Sequence, residues 1–373
     1  MGIKVFYAGM ILFLLVGCSA CREKQTSLDQ QDGQSWPIDL AKAKTSLRDI
    51  IGDIDFVPLE MTDESVIFKA DKIVVKNGLM YVGDFRSSKV VAFDESGSVK
   101  FVVNQKGNGP EEYLEIKSFA VDDKSIYVID NYRHRLNLYD CTTGKYQETR
   151  VLPFVVWDIE ILPDKNLIFT YIPFKEGGGP NLKQERCKIF ITDSLLNIEK
   201  QMFEYEEDEY EFIGKMTYFV PTRQGVVFNS MASDDLYLFG GKDSIRRIAL
   251  DFAHKIPLEK RTDWEEIQQR GYNYLVNTPL FCKHYMFFSS TNDDMILDYV
   301  YDVQSQQLYT NDLENAYKGL LTPQTVDRGR VIAYFDNYLY YQELVKAGFE
   351  RAPSEVEEHL EAEKPVLVFY TLN

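Results

Sequence analysis

Basic side chains are scarce in this chain: 41 Lys and Arg stand against 58 Asp and Glu, for a formal charge of −17. That excludes nucleic acid as a general partner, because phosphate neutralisation needs clustered cations. Histidine is rarer still. His134, His254, His284 and His359 show no metal-ligand spacing, so neither a metal nor any other cofactor is expected. Five cysteines do not make a disulfide framework: Cys141, Cys187 and Cys282 fall singly within or beside apparent strands, as buried free thiols do. Ala-rich helical stretches are missing, and so are a Ser nucleophile elbow, a reactive Cys setting and the Gly-Lys-Ser/Thr ending of a phosphate loop.

The apolar run Val5 to Val16 is too short to span a bilayer as a helix, but with Lys4 ahead of it and Gly17 behind it fits a secretory leader. Leu15-Val16-Gly17-Cys18 resembles the lipobox of bacterial lipoproteins. The resemblance implies acylation of Cys18 and anchoring in the lipid bilayer, most simply the outer membrane of a Gram-negative envelope. Residues 1–17 then form the leader. Residues 18–40, polar from Arg22 to Pro37, form a flexible tether, and residues 41–373 the folded domain.

What the chain has in abundance is Tyr and Phe, 24 of each, beside many β-branched residues, which favours a pleated surface. The pattern repeats. Leu79 to Asp84, then Val90 to Asp94 and Gly97, matches Ser125 to Asp130, then Leu136 to Asp140 and Gly144. Asp84 and Asp130 lie 46 residues apart, as do Asp94 and Asp140. A period in the forties made of short strands and turns marks propeller blades. Lys188 to Asp193, Leu236 to Gly240, Tyr299 to Asp302 and Val366 to Tyr370 continue the third-strand motif, which makes six blades. The expected fold is all-β: a six-bladed β-propeller with a short helical insertion in the last blade. Because the chain ends on a third strand, Asp55 to Leu59 is expected to supply the missing outer one and close the ring, with Pro58 tolerated at a sheet edge.

The blade pattern, the loop Lys106-Gly107-Asn108-Gly109-Pro110-Glu111-Glu112-Tyr113 and the ending Lys364 to Tyr370 resemble the six-bladed β-propeller lipoproteins of Bacteroidota, which are distantly similar to NHL-repeat propellers. The resemblance covers residues from about 50 to 373. It implies fold, and little about activity.

In a four-stranded meander A to D, the B-to-C loops and D-to-A connections share one face, where propeller ligands usually sit. That face receives Arg86, Lys89, Lys106, Arg133, His134 and Arg135, a basic sector able to hold a carboxylate or sulfate. They equally fit ordinary solvated loop charges. Tyr113, Tyr132 and Trp264 are candidate stacking surfaces, although Tyr113 also fits a structural turn packed into the next blade. Asp234-Asp235 and Asp293-Asp294 read as Ca²⁺ ligands, as an acid and base, or as plain turn acids. Thr262 to Glu265 and Ser354 to Glu357 have capping-box spacing, the first opening a helix that stops at Gly271.

Three functions fit: a binding module for an extracellular glycan or peptide, with Arg86, Tyr113, Tyr132, Arg133, His134 and Arg135 as ligand contacts; a lyase or hydrolase acting on polysaccharide; and a structural member of an envelope complex. His134 within reach of a carboxylate would favour the enzyme.

Overall fold

The computed structural model describes residues 34–45, 47–171, 187–205, 215, 217–230, 233–292, 295–311 and 319–373. Six antiparallel four-stranded meanders form the expected blades. Their inner strands are Lys72–Lys76, Ser118–Val121, Asp158–Ile161, Phe219–Thr222, Leu280–Cys282 and Pro323–Asp327, and each neighbours the next around a central channel, the sixth touching the first. Middle strands such as Ser125–Asp130 are buried along their whole length, because blades pack face to face and cover both sides of the sheet. Outer strands such as Tyr146–Val151 are half exposed.

The repeated aspartates have two jobs. Those ending the second strand brace the face of the B-to-C loops: Asp84 accepts from Phe68 N (2.9 Å) and Ser87 N (3.0 Å), and Asp130 accepts from Leu114 N (2.9 Å). Each thereby ties the incoming connection to its own blade. Those ending the third strand shape the C-to-D turns. Asp94, Asp140, Asp193 and Asp302 each accept backbone N–H groups two to four residues onward, which is why an aspartate recurs there. Gly97, at φ +84°, passes so close to the closing strand that a Cβ would lie 2.0 Å from Pro58 O.

The ring closes as expected. Ile51–Pro58 pairs antiparallel with Val366–Leu372, Asp55 opposite Phe369 and Pro58 opposite Val366. Between the second and third strands of this blade lie the helices Tyr338–Lys346 and Ser354–Glu361. Ser354 does not cap the second of them. Glu357, which a capping box would turn back toward Ser354, instead accepts from Tyr341 Oη at 2.8 Å and joins the two helices. The helix Trp264–Arg270 stops at Gly271 (φ 62°), but its cap is Asp263, accepting from Glu266 N, one residue beyond Thr262.

The tether boundary needs correction. Gln34–Ile38 is a strand, paired in parallel with Ser244–Phe252 as a fifth strand on blade four. Trp36 and Ile38 point inward and are buried while Ser35 and Pro37 face out, an alternation hidden by the polar residues before it. The leader, Cys18 and Cys21 lie outside the described residues.

Candidate functional site

Strand polarity places the first residue of every inner strand toward the face of the B-to-C loops. In blades one to three those residues are Lys72, Ser118 and Asp158, and in blades four to six they are Phe219, Leu280 and Pro323. The polar half converges on Asp158, which is fully buried. Its Oδ1 accepts from Ser118 Oγ (2.5 Å), Ile159 N (2.8 Å) and Lys72 Nζ (3.1 Å), and its Oδ2 accepts from Tyr218 N (2.7 Å) and Phe219 N (3.1 Å). One carboxylate therefore ties blades one, two, three and four together across the channel. A buried ammonium is tolerable only with such a partner.

Two residues along the same strand, Glu160 projects on the same side. It is 5% exposed; its Oε1 accepts from Ile161 N (3.0 Å), and its Oε2 lies 3.7 Å from Lys72 Nζ. Burial pushes this carboxyl above the usual range, with the Lys72 ammonium pulling partly back.

Glu160 lines a cavity of about 1130 Å³ that opens on the face of the A-to-B turns. From the channel walls at Val74 and Thr325, this cavity continues as a groove across blade four, past Val227, Leu238 and Ile248 to Trp36 on the fifth strand, with Phe281 of blade five along its side. Seven Lys and Arg line it against three carboxylates, Asp122, Glu160 and Asp327. Lys76 and Lys165 share Asp123, at 3.0 and 3.2 Å, and Arg328 pairs with Glu95 at 2.7 Å. Arg223 is exposed at its turn and has no hydrogen bond or ion pair among the described residues.

On the opposite face the expected residues separate. Arg86 and Tyr132 are exposed on their own turns, Tyr132 at 74%. Arg133 holds the Gly107 to Tyr113 loop, donating to Asn108 Oδ1 (2.9 Å) and to Gly109 O and Glu112 O (both 3.1 Å). Tyr113 is buried and donates to Ser88 O (2.8 Å), so it pins that loop to blade one and offers no stacking surface. His134 takes the left-handed conformation (φ 50°), Arg135 opens the third strand of blade two, and Trp264 packs edge-on against Tyr274. Among the described residues, no carboxylate hydrogen-bonds to the His134 ring. Asp234 and Asp235 pair with different arginines, Arg261 (2.8 Å) and Arg247 (3.0 Å), and Asp293-Asp294 lie outside the described residues. Burial pushes Asp234 up to about 6, Arg261 opposing it.

The groove and Asp158 are not among the sequence-derived sites. A signal was present: Lys72 and Ser118 are one 46-residue period apart, and Asp158-Ile159-Glu160-Ile161 alternates acid with apolar where the other inner strands are mostly neutral.

Two solved structures share this architecture. A solved structure from Bacteroides fragilis, of a protein described as exported, is 18% identical, with a TM-score of 0.75 over 91% of this chain and 100% of its own. A DUF4221-family member from Bacteroides vulgatus is 14% identical, with a TM-score of 0.52 over 87% of this chain and 97% of its own. Both likenesses concern the fold. No curated protein matches in sequence. The profile of a domain of unknown function, DUF4934, matches residues 37–371, and the chain belongs to that family.

Proposed function

We propose that this protein is an exported, lipid-anchored propeller of the cell envelope that binds an extended anionic glycan in the groove across blade four. The observation that carries the reading is the excess of cations along that groove in a chain whose formal charge is −17. A cleft of one sign in low-dielectric walls concentrates ligands of the opposite sign. Its course from the inner strands to the fifth strand of blade four suits a linear chain, and Trp36 and Phe281 supply aromatic wall. The leader of residues 1–17, which ends just before Cys18, and the likeness to an exported Bacteroides fragilis protein support an envelope location, with the outer membrane as the anchoring surface.

Binding is favoured over turnover. Asp158 has both oxygens engaged, and Asp234 and Asp235 serve separate arginines. The test is calorimetric titration of the mature chain with acidic oligosaccharides and with acidic peptides. Arg223→Ala should weaken glycan binding, and added salt should mimic part of the loss. Selective binding of the peptides would replace glycan with peptide. Undiminished binding by Arg223→Ala, together with loss in Arg86→Ala, would move the site to the opposite face. Cys18→Ala should leave the membrane fraction; unchanged fractionation and mass would remove the anchor.

A further inference from the structure

At its inner end the groove meets a buried carboxyl group with one oxygen unmatched. Among the described residues Glu160 Oε2 has no hydrogen-bond partner, and Lys72 Nζ, 3.7 Å away, is directed instead to Asp158 Oδ1 and Ile159 O, both at 3.1 Å. Buried polar atoms are matched in the great majority of cases, so an unmatched one in a side chain that lines a cavity marks a place where a ligand atom would supply the missing partner. Trp36 Nε1, an orphaned donor at the outer end of the groove, is the other such atom on a lining residue, whereas Tyr334 Oη and Asn137 Nδ2 belong to residues that do not line it.

We propose that Glu160 receives a carboxylate of the bound glycan, so that the groove selects uronate-type acidic sugars over sulfated ones. This rests on the groove reading above. The strands packed on either side of Glu160, Ser118–Val121, Leu167–Thr170 and Phe219–Thr222, bring no titratable group, which leaves Lys72 and Asp158 as the charges facing it. Asp158 and the Lys72 ammonium balance one another. Burial favours the protonated form of Glu160, and a neutral carboxyl is a donor. A carboxylate accepts that O–H in a short charge-assisted bond, with Lys72 offsetting its charge. A sulfate ester, the anion of a strong acid, is a poor acceptor for the same proton, and the cations farther out do not distinguish the two.

The experiment titrates the mature chain with trigalacturonate and with a carrageenan oligosaccharide of equal charge, across a series of pH values. Wild type should prefer trigalacturonate by roughly tenfold or more, the worth of a charge-assisted hydrogen bond. Its affinity should fall as pH rises through the raised pKa of Glu160. Glu160→Gln keeps an N–H donor and loses the proton, so it should bind trigalacturonate near wild-type strength with a flat pH profile. Glu160→Leu should lose the preference, and Arg223→Ala should weaken both probes alike. Melting curves confirm that each variant is folded. If Arg223→Ala weakens binding while both Glu160 variants behave as wild type, the Glu160 inference falls and the groove reading stands. If neither probe binds, or binding ignores Arg223 as well, both fall.

Discussion

Replacing Asp158 with alanine tests whether the channel is held by one carboxylate. The substitution removes the acceptor of two backbone N–H groups at the edge of blade four, of the Ser118 hydroxyl and of the Lys72 ammonium. Breaking a buried pair by deleting one partner costs about 3 to 5 kcal/mol, because the other charge stays buried without compensation. The stranded N–H groups of Tyr218 and Phe219 push toward the upper end, at about 1 kcal/mol or more each if unmatched. Glu160, 3.7 Å from Lys72, pulls the other way as a second carboxyl beside the stranded ammonium. The two effects oppose one another, so the expected loss stays at about 3 to 5 kcal/mol, read from the denaturant midpoint at unchanged slope. Lys72→Met in the Asp158→Ala background should recover stability, since it removes the uncompensated ammonium. A loss below about 1 kcal/mol, or a double variant less stable than Asp158→Ala, would refute the keystone role.

Deleting residues through Pro58 bares the edge of Val366–Leu372 and should abolish cooperative unfolding or cause aggregation; a soluble truncation with the wild-type melting profile would contradict closure. Arg133→Ala should cost about 1 kcal/mol and speed proteolysis within Gly107 to Tyr113, and an unchanged cleavage rate would show that the loop holds itself. Asp234 titrates near 6 when folded against an ordinary value of 3.8, so the folded chain keeps a proton that the unfolded chain releases between those values. Its contribution to stability is complete below 3.8 and lost as pH rises through about 6, a slope that Asp234→Asn should remove from a denaturation series.

The third strands were the most legible part of the fold, because strands buried on both faces read as apolar runs with an Asp at the turn. Parity followed from them, and so did closure, since a chain ending on a third strand leaves one edge open. The inner strands are only three to five residues long and carry the site, so they offered little periodicity to read. The positive charge of Arg133 was plain in sequence, but its partners Asn108, Gly109 and Glu112 come from another loop 21 to 25 residues away. Asp158 and Lys72 are 86 residues apart, and only the circular arrangement makes them neighbours. Trp36 and Ile38 make just two inward positions, too few to stand out in a polar stretch.

The parallel strand Gln34–Ile38 also gives the molecule a mechanical sequence. Force arriving from the N-terminal side meets this strand before Ile51–Pro58, which closes the ring. Its first pair, Gln34 with Ile248, lies at the turn end beside the groove, so a pull from there peels the strand one pair at a time toward Ile38. Peeling carries Trp36 out of the groove wall while the pairs of Ile51–Pro58 with Val366–Leu372 are still unloaded. Tension therefore disturbs the groove wall first, and the ring opens only after the fifth strand has come away.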